Sequence, residues 1–433
     1  MKSQSKKIIN VGLLGLGTVG TGVAKILLKE ARVIEQKTGL RLVLKRVGVR
    51  SVSKKRSVRL PRRIFSKPST ALIQDPSIDI VVELIGGIHP AKEIIQKSLS
   101  LGKGVVTANK ALLAEHGDAI FKHAQRYGRG LGFEASVCGG IPLIKVIREG
   151  LAADHVSKIF GIVNGTCNYI LTAMSQRALD FSKALGEAQR QGYAEADPRF
   201  DIEGIDSAHK LAILARLAFG AAVPFKTIFT EGIRSVSLTD MEYAKELGYT
   251  VKLLAIGKRT AKGLELRVHP TMLPLDHPLS SVRDAYNAVF VHADRAGDLL
   301  FYGRGAGMFP TASAVVSDII DLAKSISQNA KNSIGGVVAR PQAVLLVEDS
   351  RSQYYLRFQV HDRPGVLGQI ARTLGRNHIS ILSVHQKESH TPRSVPVIIL
   401  TYEAKERNLR KALKEIDSKK ETVQKTVVIR MER

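Results

Sequence analysis

The stretch IINVGLLGLGTVG, residues 8–20, runs from a continuous apolar segment into three glycines at fixed offsets, Gly15, Gly17 and Gly20. The residues rich in Ile, Val and Leu read as a strand buried on both faces, and Val19 to about Arg32 reads as a helix. In this strand–turn–helix order the glycines have separate tasks. One permits a tight turn, one lets a pyrophosphate approach the backbone, and one lets the helix pack closely on the sheet. Thr18 and Val19 open a helix whose N-terminal N–H groups face the phosphates. The expectation is a bound dinucleotide.

The same texture repeats downstream. LRLVLKRVGV (40–49), DIVVELI (79–85), GVVTAN (104–109) and GLGFEASV (130–137) read as strands, with helices over PAKEIIQKSLSLG (90–102) and residues 111–127. Alternating strands and helices predict a Rossmann-type doubly wound parallel sheet over residues 1–141. Sites that prefer NAD place Asp or Glu at the end of the second strand to hold the ribose 2′-hydroxyl. Here that position reads Val49-Arg50-Ser51, followed by Lys54, Lys55 and Arg56. Cations there attract a 2′-phosphate, so the pattern favours NADP and leaves NAD use open.

From about residue 142 the pattern becomes α+β. Helices are expected near 142–152, 166–176, 180–191 and 205–219, around strands at 155–163, 251–259 and 264–273. PTASAVVSDIIDLAKSIS (310–327) reads as a helix opened by Pro310, in a 303–327 segment expected to pack back towards the cofactor domain. Residues 142–330 then form a substrate and dimerisation domain, 331–352 a linker, and 353–433 a unit of βαββαβ order, which is ferredoxin-like.

Composition restricts the function classes. The chain has 433 residues, 44% hydrophobic and 24% charged, enough to fill two or three cores. Two cysteines, Cys138 and Cys167, are too few for a disulfide framework and fit a reducing, cytoplasmic setting. Lys6 and Lys7 ahead of the apolar run have the outline of a secretory signal, but the spaced glycines and the lack of an A-x-A site argue against one. No apolar run has the length of a membrane span, so a membrane partner is not expected. The net charge is +26, and residues 1–70 hold 18 Lys and Arg against two acids. Residues 50–67 carry eight basic residues and no acid, which suits a polyanion or a solvated face. Only Phe65 interleaves that block, so nucleic acid is not expected as the main partner.

Against this charge, GYAEADPRFDIEGIDSAHK (192–210) is an acidic island: Glu195, Asp197, Asp201, Glu203 and Asp206 against Arg199, with Lys210 at its edge. On a helix Asp206 and Lys210 lie one turn apart on one face, as a simple i,i+4 pair would. The carboxylates could equally seat the ammonium of an amino-acid substrate with Lys210 moving a proton, or hold a divalent metal.

Seven segments, GLLGLGTVG, ELIGG (83–87), TANK (107–110), FEASVCGGIP (133–142), VNGTCNYIL (163–171), the acidic island and GRGAGMFPTASAVVSDI (303–319), resemble in order those of homoserine dehydrogenases that carry a C-terminal ACT regulatory domain. The resemblance implies NAD(P)H-dependent, reversible reduction of L-aspartate 4-semialdehyde to L-homoserine, in the pathway to threonine, methionine and isoleucine. It implies Lys210 as the general acid, Lys110 beside the same oxygen and the nicotinamide, and Glu195, Asp201 and Asp206 as substrate ligands. It places Gly86 and Gly305 at the cofactor with Gly15, Gly17, Thr18, Val19, Gly20, Arg50, Lys54 and Lys110. It also implies a monovalent cation, Na or K, held by Glu134, Val137, Gly139 and Ile141. HDRPGVLGQIA (361–371) is similar to the first loop and helix of ACT domains, which implies threonine as effector. The family further implies a homodimer or homotetramer.

Two rivals remain. A Cys138 thiolate could trap an aldehyde covalently, as in phosphorylating aldehyde dehydrogenases. A Rossmann–ACT regulator could sense NADP and an amino acid and bind nucleic acid through its basic face.

Overall fold

The computed structural model describes residues 8–52, 54, 56–66, 69–330, 339–387 and 394–432. Lys55 of the basic block and residues 331–338 of the expected linker lie outside the described residues. The chain divides into two compact units. The first comprises residues 1–156, 209–225 and 293–342, and the second 157–208, 226–292 and 343–433.

The first unit is built on six parallel strands: β1 (Ile8–Leu14), β2 (Arg41–Gly48), β3 (Phe65–Ser66), β4 (Ile80–Glu83), β5 (Gly104–Thr107) and β6 (Leu131–Gly132). Their spatial order is β3-β2-β1-β4-β5-β6, so the sheet grows outward in both directions from β1. That reversal beside β1 is the switch point of a doubly wound sheet, where ligands bind at the carboxyl ends of the strands. The long apolar runs are explained by burial on both faces: Val11, Leu13, Val81 and Val105 are fully inaccessible.

The 20-residue helix Met308–Ser327 covers one face of the sheet and packs on the helix Thr18–Lys29. Ala312, Val315, Ile319 and Leu322 enter one core with Val11, Leu13, Val23 and Leu27. The two helices approach so closely that a Cβ on Gly22 would lie 2.7 Å from the Met308 carbonyl oxygen. Pro310 is thus the third residue of its helix, which Met308 begins.

The stretch 130–137 is corrected: only Leu131–Gly132 is strand, and Glu134–Ser136 is a 3₁₀ turn. The helix expected over 142–152 is also irregular, with one α turn at Leu143–Lys145 followed by a π-helical turn at Val146–Gly150.

In the second unit Tyr286–Ala293, Val156–Ile162, Tyr249–Thr260 and Gly263–Pro274 lie side by side in a mixed sheet. Lys252 is buried on the Tyr249–Thr260 strand, bonded to the Val282 carbonyl and, at 3.2 Å, to Asn168 Oδ1. It thereby ties the loop before Tyr286 to the helix Gly165–Arg177. Burial, aided by Arg283, pushes the Lys252 ammonium down from 10.5 to about 8. Between those two values the unfolded chain binds more protons than the folded one, so this group makes stability rise with pH. Relative to Lys252→Met, the wild-type unfolding free energy is expected to gain on the order of 3 kcal/mol between pH 8 and 10.5. Urea titrations of both proteins across that range check it, and a constant difference would contradict it.

The C-terminal residues have the expected βαββαβ order: Arg351–Val360, Val366–Arg376, Ile381–Gln386, Val395–Thr401, Glu406–Asp417 and Thr422–Met431. Strand Arg351–Val360 pairs antiparallel with both Val395–Thr401 and Thr422–Met431, the arrangement of a ferredoxin-like sheet. This sheet continues into the mixed one, because Thr271 and Met272 pair in parallel with Arg430 and Met431.

A buried ionic seam lines that join. The Arg430 guanidinium donates to Glu406 at 2.6 and 3.0 Å and to Glu231 at 2.9 Å. Arg267, 1% exposed, meets Glu265 at 2.9 Å, Ser352 Oγ at 2.9 Å and Glu432. Asp240, fully buried, receives Arg357 Nε at 2.7 Å and Tyr355 OH at 3.0 Å. Residues 339–352 are hydrogen-bonded too: Arg340–Pro341 pairs with Ala221–Ala222, and the Leu264 and Leu345 N–H groups bond across at 2.9 and 2.8 Å.

Candidate functional site

At the carboxyl end of β1, Gly15 adopts φ +96°, and a Cβ there would meet the Leu84 carbonyl at 2.4 Å. Gly17 is the N-cap of the helix Thr18–Lys29 and has open space where a Cβ would stand. Gly17 and Thr18 are exposed, so the unsatisfied N–H groups of the helix start face outward; Val19 is half-buried and Gly20 buried. This cradle fits a pyrophosphate.

Beyond β2, Arg50 and Lys54 are exposed. Arg56 differs from its neighbours, since its guanidinium donates to the Ser51 carbonyl at 2.6 Å and the Lys54 carbonyl at 2.8 Å. It shapes the loop, whereas Arg50 and Lys54 are solvent-facing.

A buried network missed by sequence reasoning joins the ends of β4 and β5. Glu83, fully inaccessible, accepts from the Ile85 N–H at 2.8 Å, the Gly86 N–H at 3.1 Å and Thr107 Oγ1 at 2.6 Å. Asn109 donates its amide to the Gly87 carbonyl at 2.6 Å and caps the helix Lys110–Arg126 through the Leu112 N–H at 3.1 Å. These bonds fix the ELIGG turn, with Gly86 at φ +72°, beside the start of the helix that carries Lys110. The motif strings ELIGG and TANK were visible, but nothing in their spacing said that Glu83 and Thr107 pair.

Lys210 lies on the helix Ile205–Phe219, one turn after Asp206; the two are 8% and 1% exposed. The Lys110 and Lys210 helices are linked by Arg216–Asp118 at 3.0 Å and His209–Glu115 at 3.8 Å.

The acidic island resolves into unequal members. Asp197 is paired with Arg199, whose guanidinium holds its carboxyl down at about 2, and Glu203 is paired with Arg234. Asp201 and Asp206 are instead brought together by Asn164, whose amide nitrogen lies 2.7 Å from one and 2.8 Å from the other. Glu195 lies on an exposed loop that Thr166 anchors by bonding the Tyr193 carbonyl at 2.6 Å. Among the described residues no group of three or more His, Cys, Asp or Glu side chains could hold a metal ion, so the divalent-cage reading of the island gains no support.

Glu134 has a different setting. Its two carboxylate oxygens accept from the Ile144 and Lys145 N–H groups, both at 2.8 Å, capping the helix that follows. Its own N–H donates to Asp318 at 2.8 Å. Burial pushes the Glu134 carboxyl up and the Asp318 carboxyl well up. Val137 is buried, and Gly139, at φ +42°, packs against the Gly305 carbonyl. The Ile141 carbonyl accepts from the Leu143 N–H at 2.8 Å. Carboxylate and backbone carbonyl oxygens are the hard donors that a small cation takes. Cys138, 1% exposed, has the burial of an inert thiol rather than the partial exposure of a nucleophile.

Comparison with known proteins agrees with this geometry. Family models described as "Homoserine dehydrogenase, NAD binding domain", "Homoserine dehydrogenase" and "ACT domain" match residues 15–134, 142–320 and 354–421. The chain is 43% identical over 431 residues to the homoserine dehydrogenase of Neisseria gonorrhoeae, covering 98% of this chain and 99% of that one. It is 43% identical over 436 residues to that of Pseudomonas aeruginosa, with the same coverage. The crystal structure of a homoserine dehydrogenase from Thiobacillus denitrificans matches with a TM-score of 0.91 at 42% identity, covering 98% of each chain. A hyperthermophilic archaeal homoserine dehydrogenase in complex with NADPH matches 73% of this chain and 98% of its own, with a TM-score of 0.61 at 27% identity. With the glycine cradle, the two lysine-bearing helices and full-length relatives in agreement, the chain belongs to the homoserine dehydrogenase family, NAD(P)-dependent oxidoreductases, and carries a C-terminal ACT domain.

Proposed function

We propose that the protein reversibly reduces L-aspartate 4-semialdehyde to L-homoserine with NADPH, serving threonine, methionine and isoleucine synthesis in the cytoplasm. The observation that carries this reading is the burial of Asp206 and Lys210 one helical turn apart, with Asn164 joining Asp206 to Asp201. A lone surface pair would be solvated; a buried carboxylate and a buried ammonium on one helix face are suited to binding and proton transfer. NADPH in the cradle of Gly15, Gly17, Thr18, Val19 and Gly20, with Gly86 and Gly305 nearby, would supply the hydride.

In this proposal Glu195 and Asp206 hold the substrate ammonium, with Asp201 close to the reacting end. Lys210 donates a proton to the carbonyl oxygen as it gains negative charge, and Lys110 supplies a second cation beside it. Glu134 with the carbonyls of Val137, Gly139 and Ile141 would hold a Na or K ion in a structural role. The ACT domain would bind threonine as a feedback effector, and the enzyme would act as a homodimer or homotetramer.

Cofactor choice is tested at Arg50. A charge-assisted contact to the 2′-phosphate is worth about 1.5–3 kcal/mol, so Arg50→Ala is expected to raise KM for NADP about tenfold or more and leave KM for NAD unchanged. Initial rates with each cofactor check it. Equal changes in both KM values would remove Arg50 from this role.

A further inference from the structure

Asn164 is the N-cap of the helix Gly165–Arg177, and its Oδ1 accepts the Cys167 N–H at 2.8 Å. Because that backbone group can only donate, the side-chain oxygen must face it, and the NH₂ end must point the other way. There it has two acceptors, Asp201 Oδ1 at 2.7 Å and Asp206 Oδ2 at 2.8 Å. One proton goes to each, so every hydrogen-bonding group of this amide is committed. Asn164 is 5% exposed and adopts extended backbone, φ −123°, as an N-cap does.

Two carboxylates held by one nitrogen form an anionic pair that would otherwise repel itself. A neutral donor bridging them fixes their orientation without neutralising their charge. Such an acid pair suits a substrate that carries an ammonium. Thr166 adds a weaker tie, its Oγ1 being 3.4 Å from Asp201 Oδ2 and 2.6 Å from the Tyr193 carbonyl. The cap therefore locks helix start, acid pair and loop together.

We propose that Asn164 is a positioning residue for the amino-acid substrate, acting through Asp206 at its ammonium and Asp201 close to its reacting end. This rests on the homoserine reading above. It extends that reading to a residue outside the acidic island.

Two variants keep the N-cap and remove the donors. Asn164→Asp still accepts the Cys167 N–H and adds a third negative charge, and Asn164→Ser caps with a hydroxyl too short to bridge both acids. For either, KM for L-homoserine is expected to rise about tenfold or more while KM for NADP stays close to wild type, and in the serine variant, which adds no charge, the melting temperature stays close to wild type as well. A purely structural role would reduce stability and active fraction, which lowers kcat and leaves KM unchanged. Should the aspartate variant fail to fold, the serine variant carries the test. Wild-type turnover with KM for L-homoserine within twofold in a folded variant overturns the assignment of Asn164 alone. No wild-type turnover of L-homoserine overturns the functional reading and this inference with it.

Discussion

Lys210→Ala is expected to lower kcat for L-homoserine oxidation by about 10²–10⁴-fold, the range for losing a positioned general acid–base group. NADP binding, read by fluorescence titration, is expected to remain within about twofold, because this lysine lies on the helix Ile205–Phe219 and the cofactor cradle lies at the end of β1. Lys210→Arg separates proton transfer from charge. Arginine retains the cation but does not release its proton at neutral pH, so it should rescue little. Near-wild-type turnover in the arginine variant would reduce Lys210 to an electrostatic role, and near-wild-type turnover in the alanine variant would remove it from the chemistry.

The second large effect is expected at the seam between the mixed sheet and the ACT sheet. Asp240→Leu leaves the Arg357 guanidinium, 12% exposed, and the buried Tyr355 hydroxyl without their acceptor. It also removes the capping box that Asp240 and Ser237 make at the start of the helix Leu238–Glu246. Breaking one side of a buried pair costs about 3–5 kcal/mol, and urea unfolding of the full chain should show a loss of that size. Asp240→Leu with Arg357→Met should recover part of it, since no uncompensated charge remains. A single-variant loss below about 1 kcal/mol would show that the pair contributes little to holding the two sheets together.

The contrast between these sites explains what could be read in advance. The parallel sheet was legible because its strands are buried on both faces and its glycine turn has a fixed spacing. The βαββαβ order was legible because each element there is short and bounded. Less visible were elements defined by pairing. The hairpin strands Tyr286–Ala293 and Gly297–Arg304 were not separated, and the helix Leu238–Glu246 was missed although its S-x-x-D cap stands in the sequence.

In the acidic island the spacing exposed Asp206 and Lys210 but treated five carboxylates alike. Only the fold distinguishes Asp197 and Glu203, paired with arginines, from Asp201 and Asp206, held by an asparagine some 40 residues upstream. Glu134 is similar: only the family resemblance implied a ligand there, while its capping of the helix start at Ile144 and Lys145 depends on a turn that the strand-like sequence FEASV concealed. Local pattern reports periodicity and turn chemistry; long-range hydrogen bonds leave no local trace.

The most direct test of the central claim is the initial rate of NADP reduction by the wild-type protein with L-homoserine as sole second substrate. The account predicts saturable turnover dependent on both, reversed when NADPH and L-aspartate 4-semialdehyde are supplied. A folded, NADP-binding protein that gives no L-homoserine-dependent NADPH, with either Na or K present, would contradict it.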